Sequence, residues 1–465
     1  MIRAFRLQSF LRMWLQNTDW APLTYYAGGI VRDRLLGQGY LEEATDIDLV
    51  VLQENGGIEL AEWLWKKRIA DHAPVIFPRF GTAKVAINGI QVELVHPRTE
   101  EYTPGSRHPK THFSSTLYED SKRRDFTINA MYEHVVSGRV IDYHSGLKHL
   151  TQQELHTPMD PAVLFEDDPL RILRAFRFAS RFHLVMSRRI REQIEIDAHK
   201  VQRLSVERIT NELSAILVGP KASETILAME NSGVLKHVLP WISALNGLKQ
   251  NSYHDVDAFR HTLRVVDNVP ARLPDRLAAL FHDVGKKVAA KEKLDGTFSF
   301  HGHEDVGEVI TLTALHALKF PTAVVESVRK AVKLHMRLKA SGPKGDGLTD
   351  KAIRKFVLDC GQDLDLVLTV IHADNCAHAQ HACMPDQIQQ IRYRIENLQR
   401  KADTRHVKLP VDGRDIMTAL GIPPGPYVGD MIAYVKEMWL DDPELTAEEA
   451  ITSLKIHHAE LQRGH

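Results

Sequence analysis

The sequence has 465 residues, enough for roughly three or four domains of common size. Its 59 Lys plus Arg nearly balance 60 Asp plus Glu, so no global field announces a polyanionic partner, and any nucleic-acid contact must come from a local basic face. No apolar run approaches the roughly 20 residues of a membrane span, and three cysteines are too few for a disulfide framework, which favours a reducing cytoplasm.

The N-terminus, MIRAFRLQSFLRMWLQ, is amphipathic and basic. Trp14 and the lack of a Ser-rich tract argue against a transit peptide, so a helix covering the first domain is expected. From Tyr25 to Leu52 the chain reads strand, glycine turn, short helix, loop and second strand. Gly28 and Gly29 supply a turn that a side chain would block and leave backbone N–H groups bare. Arg32 and Asp33 follow at the start of a helix, whose N-terminus favours an anion. Asp46-Ile47-Asp48 then enters an apolar, β-branched run. On a strand Asp46 and Asp48 project to one side, and Ile47, Leu49 and Val51 to the other. Two adjacent carboxylates repel unless a cation sits between them, and hard oxygen ligands at this spacing suit Mg²⁺ carrying a nucleoside triphosphate. Val75-Ile76, Ala83 to Ile87 and Ile90 to Val95 read as strands, with a hairpin at Asn88-Gly89. Glu93 becomes a third candidate carboxylate if its strand lies beside that of Asp46 and Asp48. Arg98 to Phe113 reads as a polar, mobile loop. Lys122 to Met131, KRRDFTINAM, reads as the opening of a helix. Arg123 and Arg124 there can meet a triphosphate, and Asn129 sits four residues after Asp125 on the same face.

The strings GG-x-VRD-x-LLG, DIDLVV and RRDFTINA together resemble the head of the class II tRNA nucleotidyltransferases and bacterial poly(A) polymerases. The resemblance implies an α+β chain. A small nucleotidyltransferase head with a mixed sheet (1–150) would precede a helical, base-reading neck (151–245), an HD body (246–395) and a helical tail holding the tRNA body (396–465). It implies template-independent addition of CMP, CMP and AMP from CTP and ATP to the tRNA 3′ end. Asp46 and Asp48 would be Mg²⁺ ligands with Glu93 near the metals, and Gly28, Gly29 and Arg32 would support the triphosphate. Asp125 is placed to accept from ribose hydroxyls, and the 98–113 loop would reshape the pocket between nucleotides. Enzymes restricted to A or to CC addition share nearly the same motifs, although the 98–113 loop argues against CC addition alone. RFGTAKV, residues 79–85, looks more like the tRNA enzymes than a poly(A) polymerase. The motif after Ile141-Asp142 departs from the family, with Tyr143 and His149 where Pro and Asp are usual, and reads as a hinge.

In FEDDPLRILRAFRFASRF, Asp168 and Arg171 lie three apart and would share a helix face. Asp168 can accept from the exocyclic amine of C or A, and Arg171 can donate to the ring nitrogen beside it. U and G present the reverse pattern, at a cost of about 1–3 kcal/mol per unmatched contact. Asp167 stands where the family usually has Glu. Arg171, Arg174, Arg177 and Arg181 fall within roughly a third of the helix circumference, a local basic face for phosphates, with Arg188, Arg189 and Arg191 beyond. Glu207-Arg208 in LSVERITNEL resembles a structural motif that steadies this helix.

Histidines thicken between His254 and His381. His261, His282-Asp283 and Asp374, in that order, resemble the HD phosphohydrolases, in which such residues converge on a metal. His303 and His335 could complete a second site. Imidazoles with carboxylates suit a divalent transition metal, or Mg²⁺ with waters. Such a centre would act on a 2′,3′-cyclic phosphate or 3′-phosphate of a damaged tRNA end. A degenerate HD fold that only binds RNA, and a chain that is chiefly a hydrolase, are the rival readings. Cys376, His378, His381 and Cys383 form a further, irregularly spaced candidate zinc cluster.

Overall fold

The computed structural model describes residues 2–37, 46–101, 110–251, 253–294, 296–339, 347–401, 409–442 and 444–463. The chain divides into two compact units, Met1–Pro240 and Trp241–His465.

The first unit is built on a seven-stranded mixed sheet. Its strands are β1 (Thr24–Ala27), β2 (Asp46–Val51), β3 (Val75–Phe77), β4 (Thr82–Ile87), β5 (Ile90–Val95), β8 (Met131–His134) and β9 (Val140–Asp142), in the order β3-β4-β5-β2-β1-β8-β9. A separate two-stranded ladder pairs β6 (Arg98–Glu101) with β7 (Lys110–Phe113). The 98–113 segment is thus not wholly a loop; residues 102–109 of it lie outside the described residues. β4 and β5 join through Asn88 (φ 52°) and Gly89 (φ 76°), the double positive φ that a two-residue hairpin requires.

Strand alternation divides the sheet into two faces. Ile47, Leu49 and Val51 are fully buried with Val92 and Leu94. Against them pack Leu11 and Leu15 of α1 (Ile2–Leu15) and Leu60 and Leu64 of α3 (Gly56–Lys66). The N-terminal helix therefore covers the sheet as its amphipathic pattern suggested. The opposite face carries Asp48 and a smaller cluster of Ala27, Val50, Tyr132 and Leu117, the last from α4 (Leu117–Lys122).

The neck helices belong to this same compact unit. They follow α5 (Gly146–Thr151) and include α6 (Pro161–Asp167), α7 (Leu170–Arg181), α8 (Arg188–Asp197) and α9 (Val206–Leu217). The second unit is almost entirely helical. Helices Ala258–Asp267, Leu273–Phe281, His303–Ala317, Thr322–Leu334 and Leu364–Ala377 form its body. Helices Gly413–Leu420, Pro426–Asp441 and Ala447–Arg463 gather round Ile416, Met431, Val435 and Leu454. The break expected after residue 395 falls inside a continuous helix, Gln387–Lys401.

Candidate active sites

In the first unit, β2 runs parallel to β5 with Asp48 in register with Glu93, and antiparallel to β1 with Asp48 opposite Ala27. Two acids side by side on neighbouring strands repel unless a cation intervenes. Asp48 is exposed, and Glu93 is half-exposed with Lys84 Nζ 3.2 Å away. Asp46 opens the same strand, in register with Gln91; its side chain lies outside the described set. Gly28 ends β1 with φ +71°, which only glycine adopts without strain. A Cβ there would lie 3.4 Å from both Asp48 Oδ2 and Arg124 Nη1. The turn thus brings bare backbone next to a carboxylate and a guanidinium.

Residues 122–131 do not form the expected helix. α4 stops at Lys122, Phe126 is extended, and Thr127–Asn129 is a single 3-10 turn. Asp125 Oδ1 accepts from the Phe126 N–H, a local bond that competes with helix formation. Burial of Phe126 and Ile128 fixes the turn. The turn still brings Asn129 to Asp125, at 3.0 Å from Nδ2 to Oδ1. Asn129 Oδ1 accepts from Arg32 Nη1 at 2.6 Å, and Asp125 Oδ2 accepts from Arg174 Nε at 2.8 Å and Nη2 at 2.5 Å. One chain of hydrogen bonds therefore links α2 (Gly29–Leu35), the 127–129 turn and α7. Burial pushes the Asp125 carboxyl up, but Arg174 and Asn129 hold it below its ordinary value. Arg32 is only 4% exposed; it lies 4.2 Å from the Phe182 ring centroid and bonds Asp33. Burial lowers its pKa.

The neck corrects two expectations. Asp168 and Arg171 do not share a helix, because Asp168 (φ −146°, ψ 97°) sits in the break between α6 and α7. Pro169 forces it there, since the residue before proline is driven out of the helical region. Asp168 Oδ1 accepts from Leu170 N, and Oδ2 from Arg208 Nη2 at 2.8 Å. Arg171 donates to two backbone carbonyls, Leu164 O at 2.9 Å and Arg123 O at 2.6 Å. Asp167 ends α6. The basic face is also less free than its sequence suggests. Arg177 Nε bonds Glu212 Oε2 of α9 at 2.6 Å, Arg174 is taken by Asp125, and Arg188 and Arg189 pair with Glu192 and Asp160.

Sequence reasoning missed Asp120. Fully buried, it accepts from Arg123 (2.7 Å), Arg124 (3.2 Å) and the Tyr132 hydroxyl (2.7 Å). Its spacing of three and four residues from Arg123 and Arg124 was a readable signal; the Tyr132 bond, made from β8 to α4, was not. Burial alone would raise the Asp120 carboxyl, but the two guanidiniums hold it well below the usual carboxylate range. The unfolded chain therefore takes up this proton first as pH falls. Its stabilisation is complete above about pH 4 and is lost as pH drops through the folded value. Asp120→Asn is expected to cost about 3–5 kcal/mol at pH 7, because it leaves buried guanidinium charge unpaired. The gap should narrow in urea titrations between pH 5 and pH 3. Parallel stability curves would contradict the assignment.

The second unit gathers all six expected HD residues into one buried centre. Two groups have ligand atoms mutually within 4.8 Å: His261, His282 and Asp283, and Asp283, His303 and His335. Asp283 belongs to both. His261 Nε2 lies 3.0 Å from Asp374 Oδ1, His282 Nε2 3.2 Å from Asp283 Oδ2, and His303 Nε2 3.2 Å from Asp283 Oδ1. His282, His303 and His335 turn Nδ1 to the carbonyls of Ala279, Phe300 and Val332 at 2.6–2.8 Å. A neutral ring that donates through Nδ1 has only a lone pair at Nε2. The 3.2 Å separation of His303 Nε2 and His335 Nε2 then sets two lone pairs face to face, and others face carboxylate oxygens. Such a set fits a divalent cation, with the backbone carbonyls fixing each tautomer. Burial opposes charge on Asp283 and Asp374, yet the ammonium of Lys286 beside the first and that of Lys339 beside the second hold both carboxyls well below the usual range. Gly285 permits the packing, since a Cβ there would fall 2.0 Å from His303 O.

Lys286 (2.6 Å from Asp283) and Lys339 (2.5 Å from Asp374) were not foreseen. The candidate zinc cluster does not gather round one point: Cys376 meets Cys383, but among the described residues none of the four belongs to a group of three potential metal ligands. His378 Nε2 turns to Lys339 Nζ at 3.3 Å and Asp374 at 3.7 Å, while Cys376 Sγ lies 3.9 Å from His372 Nε2. Among the described residues no helix is long and apolar enough to cross a membrane, and the three cysteines are free thiols.

A strand-borne carboxylate head followed by an HD centre defines a nucleotidyltransferase architecture, and comparison with known proteins agrees. Residues 24–156 match the family described as poly A polymerase head domain. Residues 184–245 match the probable RNA and SrmB-binding site of polymerase A, and 259–378 the HD domain. The chain is 30% identical over 436 residues to the CC-adding tRNA nucleotidyltransferase of Thermus thermophilus, covering 91% of each. It is 30% identical over 337 residues to the A-adding tRNA nucleotidyltransferase of Deinococcus radiodurans, covering 69% of this chain and 75% of that one. The crystal structure of the Bacillus stearothermophilus CCA-adding enzyme in complex with CTP shares the α+β fold over the full length of both chains, with TM-score 0.67 and 20% identity. The chain belongs to the tRNA nucleotidyltransferase family of enzymes.

Proposed function

We propose that this enzyme restores the tRNA 3′ end, adding CMP, CMP and AMP from CTP and ATP without a template. The observation that carries the reading is Asp48, exposed on the open sheet face, in register with Glu93 and adjoining the positive-φ Gly28 turn and Arg124. Asp46 and Asp48 would hold two Mg²⁺, which when bound supply activation of the terminal 3′-hydroxyl and neutralisation of the departing pyrophosphate. The 3′-oxygen forms a bond to the α-phosphorus as the bridging α–β bond breaks. Gly28, Gly29, Arg32, Arg123 and Arg124 line the triphosphate side. Asp125, Asn129, Arg174 and Arg177 tie the ribose side to the neck.

Asp168 and Arg171 are proposed to read the amine and ring nitrogen common to C and A. Reading a base requires Arg171 to exchange one of its two carbonyls for the ring nitrogen. Arg171→Ala should therefore loosen rejection of UTP. It should also lower stability by about 1–3 kcal/mol for each buried carbonyl left unpaired. Loss of stability with unchanged C/A selectivity would leave Arg171 a strut alone.

CTP, ATP and tRNAs ending at zero to three of the terminal nucleotides test the specificity. Addition to all incomplete ends supports full CCA synthesis. Extension of only one class would make the chain an A-adding or CC-adding enzyme, and long A tails would make it a poly(A) polymerase.

The two ligand groups sharing Asp283 favour a second activity for the HD centre, hydrolysis of a 2′,3′-cyclic phosphate or 3′-phosphate on an RNA end. A divalent ion bound there supplies a water of lowered pKa.

A further inference from the structure

The HD centre opens on a cavity of about 950 Å³, large enough for a nucleotide. One wall is formed by groups that the proposed metal sites do not use: His254, His378, Lys286 and Lys339. His378 has a side chain only 6% exposed. Its Nε2 lies 3.3 Å from the Lys339 ammonium, which has no lone pair, so Nε2 accepts and the ring proton sits on Nδ1. That Nδ1 is buried and meets no acceptor; His254 Nδ1, 4.8 Å away by ring centroids, is likewise buried without a partner. Unpaired buried polar nitrogens are costly, at about 1–3 kcal/mol each. They persist where something else completes them. Lys286 Nζ and Lys339 Nζ stand on the same wall against Asp283 and Asp374. The His378 Nδ1–H, the orphan ring nitrogen of His254, which donates in the tautomer that an anion would select, and two ammoniums together form the complement of a tetrahedral anion.

We propose that His254 and His378, with Lys286 and Lys339, form a phosphoryl-binding wall, so that the HD cavity takes a phosphate monoester with its phosphorus held between this wall and the metal ligands. The assignment rests on the hydrolase reading of the HD centre.

Inorganic phosphate titrated calorimetrically into the Mn²⁺-loaded full chain tests it, with wild type, His254→Ala, His378→Ala and His378→Gln compared. The proposal expects phosphate to bind wild type. Each alanine variant should bind it at least tenfold more weakly with Mn²⁺ content unchanged, and His378→Gln, which keeps an N–H donor, should recover part of the loss. CTP incorporation, a head reaction, should match wild type in all variants and so report that the chain is folded. If the variants bind phosphate as wild type does, or lose Mn²⁺ in step with phosphate, the wall is overturned while the hydrolase reading stands. If loaded wild type binds no phosphate that these variants fail to bind and hydrolyses no 3′-phosphate, both fall together.

Discussion

Asp48→Asn should abolish nucleotide addition and leave the protein folded. Loss of groups that merely orient metal ligands already costs some 10–100-fold, so loss of a ligand oxygen is expected to exceed about 100-fold in kcat. The fold should survive because Asp48 is exposed and asparagine has the same shape; substitutions at such positions usually stay within about 0.5 kcal/mol. The apolar side of β2, with Ile47, Leu49 and Val51, is what holds the strand. Single-turnover incorporation of CMP, with circular dichroism as the fold check, gives the answer. Retained incorporation by the variant would refute the assignment of β2 as the metal-bearing strand.

Asp283→Asn should act on the other unit and spare nucleotide addition. One side chain serves both ligand groups, so the substitution removes a shared ligand from each at once. Metal binding to the folded state stabilises wild type, by about 2.7 kcal/mol at a hundred times Kd. The thermal midpoint of wild type should therefore rise with Mn²⁺, and that of the variant should not. The variant should also start lower by about 3–5 kcal/mol, because the buried Lys286 ammonium loses its counter-charge. A variant that still gains stability from Mn²⁺ as wild type does would contradict the shared-ligand geometry.

Features set by local spacing were legible in the sequence. The alternation in DIDLVV, the Asn88-Gly89 hairpin and the glycine turn at Gly28 each depend on a few neighbouring residues, and the structure shows them. The six HD residues could be listed in order because each sits at a helix end or within an apolar helix. Their convergence to within hydrogen-bonding distance is a tertiary fact that the resemblance, not the spacing, suggested. The failures came where distant partners decide. The helical reading of 122–131 lost to burial of Phe126 and Ile128 and to the Asp125 side chain bonding its own backbone. The arginine face of α7 looked free because its partners, Asp125 and Glu212, lie 49 and 35 residues away. The misplacement of Asp168 was avoidable, since the proline after it was in plain view.

The account turns on a divalent cation held by the β2 acids. Anomalous diffraction from crystals soaked with Mn²⁺ and a non-hydrolysable CTP analogue tests this most directly. The prediction is a peak at about 2.1 Å from oxygens of Asp46 and Asp48 and from the triphosphate, separate from those of the HD centre. Manganese confined to the HD centre, with nucleotide bound and the β2 acids uncoordinated, would contradict it.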